Sequence, residues 1–361
     1  MKAPQKLHDT GQSLWLDNIT RALLTGGGLK RYIDELSITG LTSNPTIFDN
    51  AIRHGEDYDP AIRQKLAAGR QGEALFFELA VEDLTRAADL FRPIHERTNG
   101  VDGWVSLEVS PKLAYDTRST VAAAKALHAQ AARPNLFIKI PGTREGLPAI
   151  EESIFAGVPI NVTLLFSREQ YLAAADAYMR GIERRVAAGL NPLVGSVASV
   201  FVSRWDVAVA SKVPPALRDR LGIAIGGRIY KAYRETLNSD RALRLVNFGA
   251  RSQRLLWAST GTKDPRASDI LYVKSLAAPR TVNTMPEKTL LALADHGEID
   301  AMLARDGGDA ERALAEFLAA GIDLDALAER LQREGADAFV KSWEDLLQCI
   351  GEKSATLKKA S

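Results

Sequence analysis

Three ionisable side chains, Lys139, Glu108 and Asp17, stand inside short apolar runs of the sequence, where charged residues are uncommon. Burying an ammonium group without a partner is costly, and a lysine in such a place tends to lose its proton. A neutral lysine amine in an apolar pocket attacks carbonyl groups to form a Schiff base, and Glu108 and Asp17 would then serve as acid and base for the proton transfers. A structural ion pair between Lys139 and either carboxylate explains the same residues equally well, because spacing alone does not distinguish the two interpretations.

The apolar runs around these residues share one arrangement, in which an apolar face lies opposite a partly polar one. Successive side chains of a strand point to opposite sides. The second face therefore carries Trp15 and Asp17, Ser106 and Glu108, Phe137 and Lys139, Asn161 and Thr163, and Ser199 and Phe201. Parallel strands buried on both faces are normally apolar throughout, and the carboxyl ends of barrel strands converge at one mouth. The shared parity predicts an active site there, in preference to a satisfied polar network in the core.

Eight strand-like segments alternate with helical stretches over most of the chain. The connections are long enough for parallel crossovers, which need a dozen or more residues. Helical periodicity over residues 116–132 and a capping box at residues 167–170 fill two of the gaps. Eight such units favour a closed (β/α)8 barrel, the TIM barrel. The predicted strands are residues 14–17, 38–42, 104–109, 136–140, 160–166, 197–202, 255–259 and 281–284.

The chain length of 361 residues allows two domains of about 150 residues each, but the strand pattern predicts one. Residues 1–286 are expected to form the barrel. Residues 287–361 are expected to add the last barrel helix, a helical extension through residue 350 and a polar tail over residues 352–361. All of these are expected to pack on the barrel as a single domain.

Composition and charge exclude several classes of function. Lys and Arg number 46 against 45 Asp and Glu, a net charge of +1, so no general basic field indicates nucleic-acid binding. No run approaches the roughly 18 apolar residues of a membrane-spanning helix, and the amino terminus lacks the apolar core of a signal peptide, which predicts a soluble cytoplasmic protein. The one cysteine, Cys349, excludes an internal disulfide framework and is expected to pack within a helix. Zinc and dinucleotide motifs are absent and the five histidines lie outside the inner-face positions, so no metal or cofactor is expected.

Three segments together resemble the transaldolase family. They are residues 40–48 with the Thr-Ser-Asn-Pro motif, residues 136–147 around the lysine-containing strand, and residues 160–167. The resemblance extends over residues 14–286 and weakens afterwards. It implies a (β/α)8 class I Schiff-base enzyme of the pentose phosphate pathway, in agreement with the fold and chemistry expected from the residues. The chain length is similar to that of a longer bacterial-type subfamily.

The resemblance implies roles for four residues at the centre of the site. Lys139 resembles the Schiff-base lysine, and Glu108 resembles a glutamate that exchanges protons through a water molecule. Thr163 resembles the residue that holds this water. Asp17 is similar to the aspartate that takes the proton of the C4 hydroxyl group during carbon–carbon cleavage.

Further residues are implied as substrate contacts. Asn44, in the Asn-Pro motif, is similar to a substrate-binding asparagine, and Asn161 and Ser199 to residues that contact substrate hydroxyl groups. Arg204 is similar to a phosphate-binding arginine. Phe201 lies on the predicted inner face beside Ser199.

The loop after the seventh strand departs from the family pattern. It keeps a serine, Ser259, but has Gly261 where many members of the family have a second phosphate-binding arginine. Lys263 and Arg266 are the candidates for supplying that charge, from a loop that commonly binds phosphate in barrels.

The function implied is transfer of a dihydroxyacetone unit from sedoheptulose 7-phosphate to glyceraldehyde 3-phosphate, giving erythrose 4-phosphate and fructose 6-phosphate. A free aldolase, which releases dihydroxyacetone, is the nearest alternative. Phe201 favours transfer, because a tyrosine at this position would offer a phenol to protonate the carbanion and phenylalanine does not. A non-catalytic sugar-phosphate-binding barrel would lack part of the Lys, Glu and Asp set. The partners expected are sugar phosphates, with the chain a monomer or homodimer.

Overall fold

The computed structural model describes residues 2–359. Eight parallel strands close into one barrel in chain order, with the last strand hydrogen-bonded to the first. The strands are β1 Ser13–Asp17, β2 Ile38–Thr42, β3 Trp104–Glu108, β4 Leu136–Pro141, β5 Ile160–Leu165, β6 Ser196–Phe201, β7 Arg254–Ala258 and β8 Val282–Met285. Each lies within one residue of a predicted strand at both ends, so the predicted TIM barrel is confirmed.

Helices connect the strands around the outside of the barrel. Within the described range they are α1 Ala3–Asp9, α2 Arg21–Thr25, α3 Gly28–Leu36, α4 Pro45–His54, α5 Asp59–Ala67, α6 Gly72–Arg97, α7 Thr117–Ala131, α8 Gly146–Phe155, α9 Arg168–Ala187, α10 Ser203–Val209, α11 Leu221–Leu237, α12 Asp240–Asn247, α13 Leu271–Ser275, α14 Glu287–His296, α15 Ala310–Ala319 and α16 Leu324–Lys359. In this part of the chain no helix combines the length and apolar character that crossing a membrane requires.

Local sequence signals explain where two of these helices begin. The Ser167 hydroxyl accepts from the Gln170 backbone amide, and the Gln170 side chain accepts from the Ser167 amide, which completes the predicted capping box of α9. Asp116 caps α7 by accepting from the backbone amide of Ser119. Both caps follow the carboxyl end of a strand, so they help to fix where each βα loop stops.

The inner face of the barrel changes character along its axis. At the amino end it is filled by aromatic rings, with Trp104 and Phe137 stacked at 4.0 Å between centroids and Trp15 at 6.1 Å from Phe137. Gly40 faces this layer, and a Cβ atom there would lie 2.7 Å from the Trp15 ring, so only glycine fits. Polar side chains occupy the next layer toward the carboxyl end. The aromatic floor therefore closes the barrel below its polar layer.

The carboxyl-terminal helices have two different positions. α14 follows β8 and packs against α1 and β1, as the expected last barrel helix. α16 instead crosses the carboxyl end of the barrel and packs on α4, α5, α6 and β5. Cys349 is buried on α16, consistent with the packing role expected for it.

The expected polar tail over residues 352–361 is wrong for its described part, because α16 continues to Lys359. Lys353 donates to the backbone carbonyl of Gly55 and pairs with Asp59 at 3.0 Å, while Leu357 is 95% buried, with a relative exposure of 5%. These tertiary contacts stabilise the described part of this segment. Residues 360 and 361 lie outside the described range.

Trp343 anchors α16 to the barrel and provides a test of this arrangement. It is 1% exposed and packs edge-on against Phe76 at 5.0 Å between centroids. Because Trp343→Ala leaves a large cavity, we expect a loss of about 3 kcal/mol in the free energy of unfolding, measured by denaturant titration. Trp343→Phe, the matched control, keeps a ring in place and should lose less than half as much. Equal losses in the two variants would contradict the packing described.

Candidate active site

The Lys139 amine lies inside the barrel at the carboxyl ends of β3 and β4. The strand register places Lys139 directly beside Glu108, and Lys139 Nζ donates to Glu108 Oε2 at 3.3 Å. Both side chains are only 8% exposed. Lys139 Nζ also lies 3.4 Å from the backbone carbonyl of Ser43. The ion pair that the sequence left open is therefore present, and it lies in the polar layer where the parity of the strands placed an active site.

Asp17 ends β1 and faces the same layer. The Thr42 hydroxyl donates to Asp17 Oδ1 at 2.9 Å and also contacts the Thr284 hydroxyl at 2.7 Å, which fixes one oxygen of the carboxylate. Burial raises the pKa of the Asp17 carboxyl above its usual value, and the Lys139 ammonium opposes this rise most strongly. Hydrogen bonds from Thr42 and Asn44 lower the pKa further toward its usual value.

Burial also raises the pKa of the Glu108 carboxyl, and the neighbouring ammonium of Lys139 lowers it. The charge of Asp17 adds to the rise, because two nearby carboxylates disfavour each other's ionisation. Two acids with raised pKa values thus face one amine in a space shielded from water. Such groups are suited to hold and release protons during a reaction.

Asn161 links two further strands at the same level. Its amide nitrogen donates to the Ser106 hydroxyl at 3.1 Å, and its carbonyl oxygen accepts from the Ser199 hydroxyl at 2.7 Å. Asn161 is fully buried. The structure therefore brings together the inner-face polar residues of β3, β5 and β6 that the alternation predicted.

The Thr163 hydroxyl is buried and has no hydrogen-bond partner within residues 2–359. The pairing of β5 with β6 shifts register between Val162 and Leu165, and Leu164 has a φ of +59°. This irregularity turns the backbone at the end of the strand. Buried hydroxyl groups are normally paired, with protein or with water, so Thr163 presents a free polar atom next to the reacting groups.

Asn44 follows β2 and stands at the start of α4. Its side-chain oxygen accepts from the Ile47 backbone amide, as expected of an N-cap followed by proline. The Asn44 side chain also bonds to Asp17, which places it at the mouth of the barrel. The Asn-Pro motif thus has a structural role and a position in the site.

Arg204 lies in the first turn of α10, behind β6. Its guanidinium carbon is 5.1 Å from the centre of the Phe201 ring and 5.9 Å from that of Phe339. Burial lowers the pKa of the Arg204 guanidinium, and only the more distant charge of Glu334 opposes this. A cation held between two rings in a half-closed space is available to an anionic ligand.

The loop after β7 separates the two candidates for a second phosphate contact. Arg266 is exposed and pairs with Asp264, so its charge is already compensated. Lys263 lies close enough to Asp17 to lower the pKa of that carboxyl. Ser259, with a φ of +55°, meets the Ser203 hydroxyl at 2.9 Å. The geometry favours Lys263 over Arg266.

The sequence analysis missed the residues that α16 places over this site. The Phe339 ring is 5.3 Å from Lys139 Nζ. Gln332 donates to the backbone carbonyls of Gly142 and Leu164, at 3.0 Å each. Gly335 lies so close to Leu164 that a Cβ atom would approach it to 2.9 Å. Helical periodicity identifies a buried face of α16 but not the end of the barrel on which that face packs, so no sequence signal singled out Phe339.

Barrel and site together define a (β/α)8 protein with a buried Lys, Glu and Asp centre at its carboxyl-terminal mouth. Residues 14–350 match the family model described as Transaldolase/Fructose-6-phosphate aldolase. The chain belongs to this family, as the sequence motifs indicated.

Similarity to individual relatives extends over nearly the whole chain. A protein named Transaldolase from Thermobifida fusca (strain YX) is 46% identical over 360 residues, covering 97% of this chain and 98% of the relative. Transaldolase from Saccharopolyspora erythraea is 45% identical, with 97% of each chain covered. Transaldolase from Thiobacillus denitrificans is 44% identical over 94% of this chain and 97% of the relative. The similarity therefore includes the carboxyl-terminal helices as well as the barrel.

Possible metal ligands do not cluster in this site. Over the described range, no three or more His, Cys, Asp or Glu side chains are grouped so as to hold a metal ion. The ionisable groups of the site are instead one amine and two carboxylates.

The raised pKa of Asp17 predicts a pH-dependent effect of Asp17→Asn on stability. Because the unfolded carboxyl loses its proton near the usual value of 3.8 and the folded one only at higher pH, wild-type stability falls as pH rises through that window. Asp17→Asn should therefore raise the free energy of unfolding at pH 8, with a gain that shrinks toward pH 4. Its activity should fall at least about 100-fold, as expected for loss of an acid/base group.

Denaturant titrations of the wild type and variant at several pH values measure this gain. Asp34→Asn, on the exposed face of α3, is the matched control and should give no comparable gain at pH 8. A stability gain for Asp17→Asn that is the same at pH 4 and pH 8 would contradict the assigned burial of the charge.

Proposed function

We propose that this chain is a transaldolase, which transfers a dihydroxyacetone unit from sedoheptulose 7-phosphate to glyceraldehyde 3-phosphate and forms erythrose 4-phosphate and fructose 6-phosphate. The observation that supports this most directly is the position of the Lys139 amine, which is buried in the barrel mouth 3.3 Å from Glu108 with Asp17 in the same layer. Family membership and the names of the relatives support the same reaction.

The first half of the reaction begins with attack of Lys139 Nζ on the C2 carbonyl of the ketose phosphate. Proton transfers and loss of water then give a protonated imine. Glu108, with its raised pKa, supplies and removes these protons, and the unpaired Thr163 hydroxyl would hold the water through which it acts. Asp17 then takes the proton of the C4 hydroxyl group. The C3–C4 bond breaks, its electron pair enters the imine to form an enamine, and the aldose phosphate leaves.

The second half reverses these steps with a different aldehyde. The enamine carbon attacks the carbonyl of glyceraldehyde 3-phosphate, Asp17 returns its proton to the new hydroxyl group, and water releases the product from Lys139. Because the imine itself accepts the electron pair, the reaction as written requires no metal or organic cofactor.

The remaining site residues would position the two sugar phosphates. Arg204 and Lys263 would bind the phosphate group, since both are cations at the mouth that lack a close carboxylate partner in the described range. Asn44, Asn161 and Ser199 would contact hydroxyl groups along the carbon chain. Ser259 would contribute through its neighbour Ser203, because the two hydroxyl groups already contact each other.

Borohydride reduction in the presence of fructose 6-phosphate tests the role of Lys139. Hydride reduction of the imine C=N bond leaves a stable secondary amine that carries the bound ketose carbon chain, which we expect peptide mass spectrometry to locate on Lys139. Lys139→Ala should not be trapped. Lys112→Ala, which removes an exposed lysine paired with Glu344, should be trapped as the wild type is. Equal trapping of Lys139→Ala and wild type would overturn the proposed mechanism.

A free aldolase is the second candidate, and the aromatic cover of the site argues against it. Phe201 and Phe339 lie 6.4 Å apart between ring centroids, and Phe339 also faces the amine of Lys139. These rings carry no acidic proton and restrict water, so the enamine would survive until an aldehyde arrives.

Phe201→Tyr tests this distinction. A phenol at this position is able to protonate the enamine, so we expect release of dihydroxyacetone to increase relative to transfer. The measurement is the ratio of free dihydroxyacetone to transferred product from fructose 6-phosphate and an aldose phosphate. Phe201→Leu removes the ring without adding a proton donor and separates loss of packing from gain of the phenol. An unchanged ratio in Phe201→Tyr would remove the argument for transfer.

The organisation of the chain completes the proposal. Residues 287–361 would belong to the same domain as the barrel over residues 1–286, since α16 packs across the mouth. The protein would act in the cytoplasm, where its charged substrates are retained by the membrane. It would be a monomer or a homodimer, which gel filtration of the full chain distinguishes.

A further inference from the structure

A second cavity opens at the amino end of the barrel, on the side opposite Lys139. Its volume is about 590 Å³. The first residues of three strands line it, namely Ser13 of β1, Ser196 of β6 and Arg254 of β7. The aromatic floor of Trp104 and Phe137 forms part of its wall and lies between it and the polar layer of the active site. We refer to this space as the basal cavity.

Three arginines, Arg251, Arg254 and Arg280, line the basal cavity. Arg254 is held firmly, because its guanidinium donates to the backbone carbonyls of Val101 at 3.1 Å and Thr281 at 2.8 Å. Thr281 directly follows Arg280 in the chain, so these two arginines are neighbours at the rim.

Arg251 is held by the same segment of the chain as Arg254. One of its terminal nitrogens donates to the backbone carbonyl of Asn99, two residues before the carbonyl that holds Arg254. Backbone carbonyls thus orient both guanidinium groups without neutralising them. The other N–H groups of Arg251 remain available for a ligand.

Three arginines face a single carboxylate in the lining of the basal cavity. The one acidic residue there is Asp102, and both of its oxygens are already occupied, by the Ser13 hydroxyl and by the indole N–H of Trp15 at 2.9 Å. Among residues 2–359, no carboxylate forms an ion pair with any of the three arginines. Arg254 also donates to the Ser13 hydroxyl, which in turn donates to Asp102. Asp102 therefore offsets one of the three positive charges, and the remaining excess attracts anions.

Arg280 adds a second observation. Its backbone has a φ of +65°, a conformation that is free for glycine and strained for residues with a Cβ atom. The side chain is exposed and, among the described residues, forms no hydrogen bond or ion pair that would explain its presence. Its side chain lines the basal cavity, so its charge lies at the entrance of that cavity.

We propose that the basal cavity is a second binding site, distinct from the active site, for a phosphate ester with an apolar or planar body. Guanidinium groups bind phosphate oxygens through paired hydrogen bonds, and a phosphate dianion matches several arginines better than a single carboxylate does. The rest of the lining includes Val197, Val246 and Ala250. These side chains suit a flat or apolar group.

Calorimetric titration with ADP tests this site, using the full-length protein at fixed salt. Wild type should bind ADP, and Arg280→Gln and Arg251→Gln should each weaken binding at least about tenfold by removing one charged contact. Arg63→Gln, which removes an exposed arginine of α5 outside the cavity, is the matched control and should bind as wild type does. Turnover of the two basal variants should be unchanged, which confirms that they are folded.

Two further arms locate the site and define the ligand. Arg204→Gln should retain ADP binding, because Arg204 lies at the opposite mouth. Adenosine should fail to bind, and inorganic phosphate should compete with ADP but bind more weakly. The proposal is overturned if wild type does not bind ADP, if Arg280→Gln and Arg251→Gln bind it unchanged, or if Arg204→Gln abolishes binding. Inorganic phosphate that binds as tightly as ADP would overturn the inference that the ligand carries an apolar or planar body.

Discussion

The upper half of the barrel depends on how the Lys139 ammonium is kept out of water. An isolated buried charge is prohibitively costly, so the surrounding residues must compensate it or remove its proton. Glu108 does so at 3.3 Å, and Asp17 adds a second negative charge. Burial raises the pKa of both carboxyl groups, and the charge of Asp17 raises that of Glu108 further. The burial that raises the pKa values of these carboxyl groups therefore also lowers the free energy of unfolding of the protein.

Much of this site could be predicted from the alternation of side chains between the two faces of each strand. Once Lys139 is assigned to an inner face, alternation assigns Glu108 and Asn161 to the same face, and closure of the barrel brings the three side chains close together. Ser106, Asn161 and Ser199 consequently form a hydrogen-bonded series across β3, β5 and β6. Such an inference requires no knowledge of side-chain conformations. The pleat of the strand determines the face to which each side chain points, and the parallel register determines its level along the barrel axis.

The parts that sequence reasoning missed depend on tertiary packing. Phe339 looks like any apolar residue of an amphipathic helix, and nothing in its spacing identifies Lys139 as its neighbour. Lys263 and Arg266 are equivalent in a linear sequence. They are separated by the ion pair of Arg266 with Asp264 and by the closeness of Lys263 to Asp17. The sequence analysis ended the helical extension at residue 350, although α16 continues to Lys359 and the Lys353 contacts hold this part of it. In each case the deciding contact joins residues far apart in sequence.

The position of α16 has a consequence for the order in which the protein matures. All eight strands precede residue 286, so a chain emerging from the ribosome contains every strand residue of the site before the helix that covers it. The helix that encloses the Lys139 amine is thus synthesised after every strand of the site. Until α16 docks, the reactive layer remains open to solvent, and a chain shortened at its carboxyl end would keep its amine and acids while losing the cover that separates their chemistry from water.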